Sequence, residues 1–195
     1  MPTDTRQKLI DAAQSRFYND GFRNVGLDAI LADVGISKTA FYKHFESKEQ
    51  LMLEVLNQND RWLRDTFHKM IRERGGRTAV DQLRGVMDVV QRVIEFEGFH
   101  GCIFVNAAME FPLCHDPAHE AAARNKRAIE DIVHDIAERA GVERPQDLAE
   151  ELCLVIEGAY VTYSVTRNRE TIDIARRLGD QIIGRHLAER TKPVA

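Results

Sequence analysis

The sequence predicts an all-α protein of about nine helices, the first three short and packed locally, the rest forming a larger helical part. Three observations predict this. Apolar residues recur at helical spacing in nearly every segment. No stretch sustains the period-2 alternation of β-branched residues that a half-buried strand needs. The prolines, Pro2, Pro112, Pro117, Pro145 and Pro193, sit at the boundaries of periodic segments rather than inside them.

Taken in order, the first helix runs from about Asp4 to Tyr18, with Leu9, Ile10, Ala13 and Phe17 as its apolar stripe and Gly21 as its stop. A short helix from Leu27 to Val34 presents Ile30, Leu31 and Val34, and Gly35 breaks it. Ser37 is a suitable N-cap for a second short helix, Lys38 to Phe45. Ser47 and Gln50 form a capping box that opens a long helix to about Arg74. Its inward stripe is Met52, Val55, Leu56, Leu63, Phe67 and Met70, and Gly75-Gly76 ends it. Thr78 caps a helix that carries Val80, Leu83, Val86, Val90 and Val93 as far as Phe96. Gly98-Phe99-His100-Gly101 is a break, followed by a short helix from Ile103 to Phe111. Asp116-Pro117 supplies an N-cap and a first-turn proline for a helix to Ala140, closed by Gly141. Pro145 starts another to about Thr166, and Thr171 caps the last, to about Glu189.

Bulk properties narrow the class. A chain of 195 residues, 44% hydrophobic and 30% charged, has the balance of a globular protein and can bury a core without staples. The longest apolar run, Leu152 to Ile156, is far too short to span a bilayer, and the N-terminus has no apolar signal core. No membrane partner is expected, and the cytoplasm is the expected compartment. Three widely spaced cysteines, Cys102, Cys114 and Cys153, form neither a disulfide framework nor a zinc ribbon. A net charge of −4 argues against indiscriminate coating of nucleic acid, so any DNA-binding face must be local.

Such a face lies between Gly21 and Leu51. Two short helices joined by Val34-Gly35-Ile36-Ser37 have the length and the glycine-containing turn of a helix-turn-helix. Phe41 and Phe45, four apart, would pack against Phe17, Ile30 and Val34. The opposite side then shows Lys38, Thr39, Tyr42 and Lys43, with His44 at its edge: cationic, hydrogen-bonding and aromatic, as a major-groove helix requires. Lys48, in the first turn of the long helix, adds charge where free N–H groups favour phosphate. Leu27, at the start of the preceding helix, completes the candidate set.

At these residues the chain resembles the tetracycline-repressor (TetR-like) family of one-component bacterial regulators. The likeness covers roughly residues 5 to 55 without gaps. It includes Ala13, Phe17, Gly21-Phe22, Ile30, Gly35-Ile36-Ser37-Lys38, Phe41-Tyr42, His44-Phe45, Ser47-Lys48-Glu49 and Leu51. The resemblance implies that this segment is a DNA-binding domain and that Lys38, Thr39, Tyr42, Lys43, His44 and Lys48 touch double-stranded operator DNA. Two positions depart from the family pattern. Gly26 stands where Thr or Ser usually caps the first short helix, and Ala40 stands where many relatives carry a polar base-reading residue. Thr39 and Lys43 would then carry more of the readout.

The expected organisation is a head, residues 1–47, and a ligand-binding and dimerisation domain, residues 48–195, with helix 48–74 linking them. The last two helices have wide apolar stripes: Leu148, Leu152, Val155, Ile156, Ala159 and Tyr163 on one, Ile172, Ala175, Leu178, Gly179, Ile182, Ile183 and Leu187 on the other. Two such helices from each of two chains would form a four-helix bundle with an isologous interface. The resemblance implies this homodimer, and a helix-turn-helix on a palindrome needs two heads.

A small-molecule inducer is expected in the larger domain. Trp62, Phe99, Phe104, Tyr160 and Tyr163 are its candidate aromatic walls, with core packing as the alternative role. Cys102, Asn106 and Glu110 share one stripe of the short sixth helix, a candidate pocket wall or hinge. Glu157 interrupts an apolar run, as a pocket group or as a solvent-facing or ion-paired one. His100, Cys102, Cys114, His115, Asp116 and His119 cluster in sequence, but their spacing matches no standard zinc site, and neither metal nor cofactor is expected. Nucleophile elbow, phosphate-binding glycine loop and His-Glu-x-x-His helix are all missing, so an enzyme is not expected. The expected function is a repressor that binds a pseudo-palindromic operator as a dimer and is released when an inducer shifts the long helix. An activator or a thiol- or metal-responsive regulator with the same head, and a helical protein-binding adaptor, are the alternatives.

Overall fold

The structure, a computed structural model, describes residues 4–74, 76–96 and 98–189. Among them are nine helices and no strand: α1 (Thr5–Asp20), α2 (Leu27–Val34), α3 (Lys38–Phe41), α4 (Lys48–Arg74), α5 (Ala79–Ile94), α6 (Ile103–Glu110), α7 (Pro117–Arg139), α8 (Pro145–Thr166) and α9 (Glu170–Glu189). No helix among the described residues is long and apolar enough to cross a membrane.

The caps explain the boundaries. Ser37 Oγ accepts from the Ala40 N–H at 3.2 Å and opens α3. Ser47 Oγ accepts from the Gln50 N–H at 3.1 Å, and Gln50 Oε1 reaches back to the N–H of Glu46, one residue earlier than a standard capping box. Thr78 Oγ1 accepts from the Asp81 N–H, and Asp116 Oδ1 from the Ala118 N–H beside Pro117. Gly141, at φ +73°, closes α7 as Val142 donates to the Ala137 carbonyl.

Four expectations need correction. Regular helix in α3 stops at Phe41; residues 42–45 continue as turns, with His44 donating to Phe41 O at 2.8 Å and Phe45 to the same oxygen at 3.1 Å. Thr171 does not cap α9. Asn168 Oδ1 accepts from the Glu170 N–H, and Thr171 lies buried inside the helix. The fifth helix ends at Ile94, and Phe96 projects into solvent. On α4, Leu63 and Met70 are only half-buried while Leu51 and Ile71 take buried positions, because the helix changes neighbours along its length. Gly75, Pro2 and Pro193 lie outside the described residues.

By packing, the chain divides into two compact units: residues up to Trp62 with Cys102–Asn125, and Leu63–Gly101 with Lys126 onward. In the first, α1 packs on α2 and α2 on α3 around Leu9, Ile10, Phe17, Ile30, Phe41 and Leu56. Phe17 stacks on Phe22 at 5.1 Å and Phe41 on Phe45 at 5.8 Å. In the second, α8 packs on α9, and both pack on α5. α9 comes close to α5 at Gly179, where a Cβ would lie 2.9 Å from Met87 Cγ. Arg176 of α9 pairs with Asp88 of α5 at 2.5 Å beside it.

Candidate DNA-binding face and sensor site

Gly35, in the left-handed conformation at φ +74°, turns the chain between α2 and α3, and both Gly35 and Ile36 donate to Leu31 O. With Phe41 and Phe45 turned inward, Lys38, Thr39, Tyr42 and Lys43 are left exposed on α3 and its following turn. Tyr42 is 59% exposed, its ring edge-on to Phe41 at 5.3 Å. His44 and Leu27 are half-buried at the margin.

Two of the expected contact residues are engaged inside the protein. Lys38 Nζ sits 2.9 Å from Asp28 Oδ1, and that carboxylate raises the lysine above its ordinary pKa. Lys48 Nζ donates to Phe22 O at 2.7 Å and lies 5.8 Å from the centre of the Phe17 ring. It therefore braces the turn after α1 instead of standing clear in solvent. Spacing cannot reveal such a partner, since it lies 26 residues away.

The same turn is gripped from its other side. Glu110 accepts from the N–H groups of Phe22 at 2.9 Å and Arg23 at 2.7 Å, spanning 88 and 87 residues of sequence. Phe111 adds an edge contact to the Phe22 ring and receives the Arg23 guanidinium at 5.0 Å. Glu110, a candidate pocket wall or hinge, is thus engaged with the backbone of Phe22 and Arg23.

The remaining ligand candidates scatter. Trp62, Cys102, Phe104, Asn106 and Glu110 belong to the first unit; Phe99, Glu157, Tyr160 and Tyr163 belong to the second. Trp62 is 62% exposed, Phe104 is fully buried, and neither borders the two clefts beside Tyr163. Phe99 and Tyr163 do: with Ile94, Glu95, His100 and Arg167 they border a cleft of about 330 Å³. A second cleft of about 340 Å³ shares Glu95 and Tyr163 and adds Arg169 and Asp173. Tyr160 is buried and rests on Phe99 at 5.8 Å. Sequence reasoning missed Glu95 and Arg167. The one signal for Arg167 is structural: it ends α8 at φ +55° and donates to Phe99 O at 2.5 Å. Glu157 is ion-paired, with Lys126 of α7 at 2.6 Å, which is the blander of its two readings.

The dimer candidates divide by burial. Leu152, Ile156, Ala159, Ile172, Ala175, Gly179 and Ile183 are already buried within one protomer. The small residues in that stripe admit α5, as the Gly179–Met87 contact shows. Val155, Ile182 and Leu187 are half-buried and Leu178 is exposed. What stays open is a stripe of which sequence reasoning named only Leu178: Leu154, Val161 and Val165 on α8, and Ile174 with Leu178 on α9. Its signal was available, because Leu154, Gly158, Val161 and Val165 follow 4-3-4 spacing.

The thiols differ sharply. Burial first, then the Glu130 and Glu157 carboxylates, push Cys153 up to about 12. Cys114 is exposed and Cys102 half-buried. A disulfide-exchange reagent at pH 7.5 should label Cys114 first and leave Cys153 untouched in the folded chain, because the thiolate is the attacking form. Mass spectrometry of the labelled protein checks this, and early labelling of Cys153 would contradict it. Among the described residues, metal-ligating atoms converge within 4.8 Å at His134, Asp135 and Glu138 of α7, a set that includes none of the six residues clustered in sequence. His119 is bonded to Phe111 O and His100 to Gly98 O.

Comparison with known proteins places this geometry. Residues 9–55 match the profile described as bacterial regulatory proteins, tetR family, and residues 79–178 match the tetracyclin repressor-like C-terminal domain. The chain is 22% identical over 178 residues to the HTH-type transcriptional regulator YjdC of Escherichia coli strain K12, covering 91% of this chain and 93% of that one. It is 25% identical over 178 residues to the HTH-type transcriptional repressor DhaR of Mycobacterium sp. strain GP1, covering 88% of each. The crystal structure of a TetR-family transcriptional regulator from Streptomyces coelicolor shares the fold, with a TM-score of 0.90, 24% identity and coverage of 96% of this chain and 92% of that one. With both halves matched and the helix-turn-helix in place, the chain belongs to the tetR family of bacterial regulatory proteins and is a DNA-binding transcriptional regulator.

Proposed function

We propose that the chain represses transcription as a homodimer that binds a pseudo-palindromic operator and lets go when a small molecule occupies its second unit. The observation that carries the reading is the exposed set Lys38, Thr39, Tyr42 and Lys43 over the Phe41–Phe45 core. Cations, a hydroxyl and an aromatic ring on one side of a short helix suit base edges and flanking phosphates together. His44 and Leu27 flank that set, and Lys48 contributes by holding the turn after α1. DhaR, similar over most of its length, is a repressor, which supports this sign of regulation.

Two heads come from a second copy of the chain seated on the exposed apolar stripes of α8 and α9. The inducer is assigned to the clefts around Tyr163, with Phe99 and Tyr163 as apolar walls and Glu95 and Arg167 as polar anchors. The long α4 carries the change to the head, and a coupling of about 1–3 kcal/mol suffices for a useful switch.

Fluorescence anisotropy against DNA from upstream of the chain's own gene, beside an unrelated duplex, tests the reading. Selective, salt-dependent binding supports it, and equal weak binding to both duplexes contradicts it. In the same assay Tyr42→Ala should cost about 1–3 kcal/mol of operator binding, as a base-contacting side chain does. Sedimentation should show its dimer intact, and unchanged affinity would remove Tyr42 from the contact face.

A further inference from the structure

The acid that faces Lys38 stands in solvent. Asp28 lies in the first turn of α2, whose N-cap, Gly26, has no side chain to offer the helix. Its two oxygens sit 2.9 and 3.2 Å from Lys38 Nζ, and the carboxylate and ammonium are 77% and 60% exposed. An ion pair so open to water contributes little to stability and separates easily. Its effect on an approaching duplex is larger. While closed, the pair neutralises the first cation of the DNA-facing segment.

We propose that Asp28 sets specificity by acting as a built-in counterion for Lys38, which only a fully docked operator displaces. This inference rests on the assignment of Lys38 to the DNA-contact face. On unrelated DNA no contact holds the head in register, so no phosphate is fixed beside Lys38 and the carboxylate remains its nearest partner. On the operator, the contacts of Thr39, Tyr42 and Lys43 hold the head in register. Lys38 then exchanges the carboxylate for DNA, at the small cost of opening an exposed pair.

Asp28→Asn keeps the side chain's size and removes its charge. Its affinity for a random-sequence duplex should rise about fivefold at moderate salt, and the slope of log K against log salt should steepen by about 0.9, the signature of one added phosphate contact. Binding to DNA upstream of the chain's own gene should rise less, with its slope unchanged, so the ratio between the two narrows. In a Lys38→Gln background the gain on random DNA should vanish. If it persists there, the carboxylate acts through overall charge and the pairing is overturned. Asp28→Ser should behave as Asp28→Asn does, and equal gains on both duplexes would also overturn the proposal. If the unaltered protein discriminates between the duplexes while Asp28→Asn leaves the random-DNA slope as it was, this inference falls and the DNA-contact face stands. If the unaltered protein discriminates between none, both fall together.

Discussion

Glu110→Ala should release the turn after α1 and lower the stability of the first unit by about 1.5–3 kcal/mol, the range for hydrogen bonds to a charged partner. Two backbone N–H groups lose a carboxylate at once. Arg23 is exposed and finds water, but Phe22 is buried and its N–H has no substitute nearby. Gly21, at φ +87°, is where the chain bends toward this carboxylate: a Cβ there would meet Glu110 Oε1 at 3.2 Å. Glu110→Gln keeps one acceptor oxygen and should lose about half as much. Urea unfolding measures the stability, and amide exchange at Phe22 and Arg23 locates it. Unchanged exchange at both amides would show that the carboxylate does not hold the turn. Operator affinity should fall with the stability, since the turn lies between α1 and the helix-turn-helix.

The second large effect concerns α8 and α9. Leu154→Glu combined with Val165→Glu should leave each protomer folded and abolish the dimer. Both side chains are more than three-quarters exposed, at 76% and 77%, so the protomer's own core does not notice them. In a dimer each substitution would bury two charges, one from either side of the two-fold axis, and an unpaired buried charge is costly. Sedimentation equilibrium should give the mass of one chain, 22.2 kDa, where the unaltered protein should give twice that. Operator affinity should collapse to that of a single head. A dimer that survives both substitutions would place the interface elsewhere.

The element order was legible in the sequence because capping is local chemistry. Ser37, Ser47, Thr78 and the Asp116-Pro117 pair each announce a helix within four residues of its start. The inward and outward sides of the helix-turn-helix were legible for a related reason. A short helix with two phenylalanines four apart has one way to bury both. What was illegible involves partners supplied by distant chain. Glu110 and Lys48 looked like a pocket wall and a phosphate ligand because nothing in their own segments shows the peptide of Phe22 between them. The α8 and α9 stripes were found, but most of the residues named in them pack inside the protomer. Each helix is apolar on more than one side, and periodicity cannot say which side α5 takes and which it leaves open. Thr171 failed as a cap because Asn168, three residues earlier, offered an equally suitable oxygen.

The contact between Gly179 and Met87 constrains how the chain can diverge. A side chain at 179 enters the space of Met87 Cγ and Sδ, so the flexible methionine must move to admit it, and a shorter residue at 87 opens space between two helices. Each substitution eases the other, so in the lineage of this protein the two positions should tend to vary together. A relative with alanine at the first should carry a smaller residue than methionine at the second.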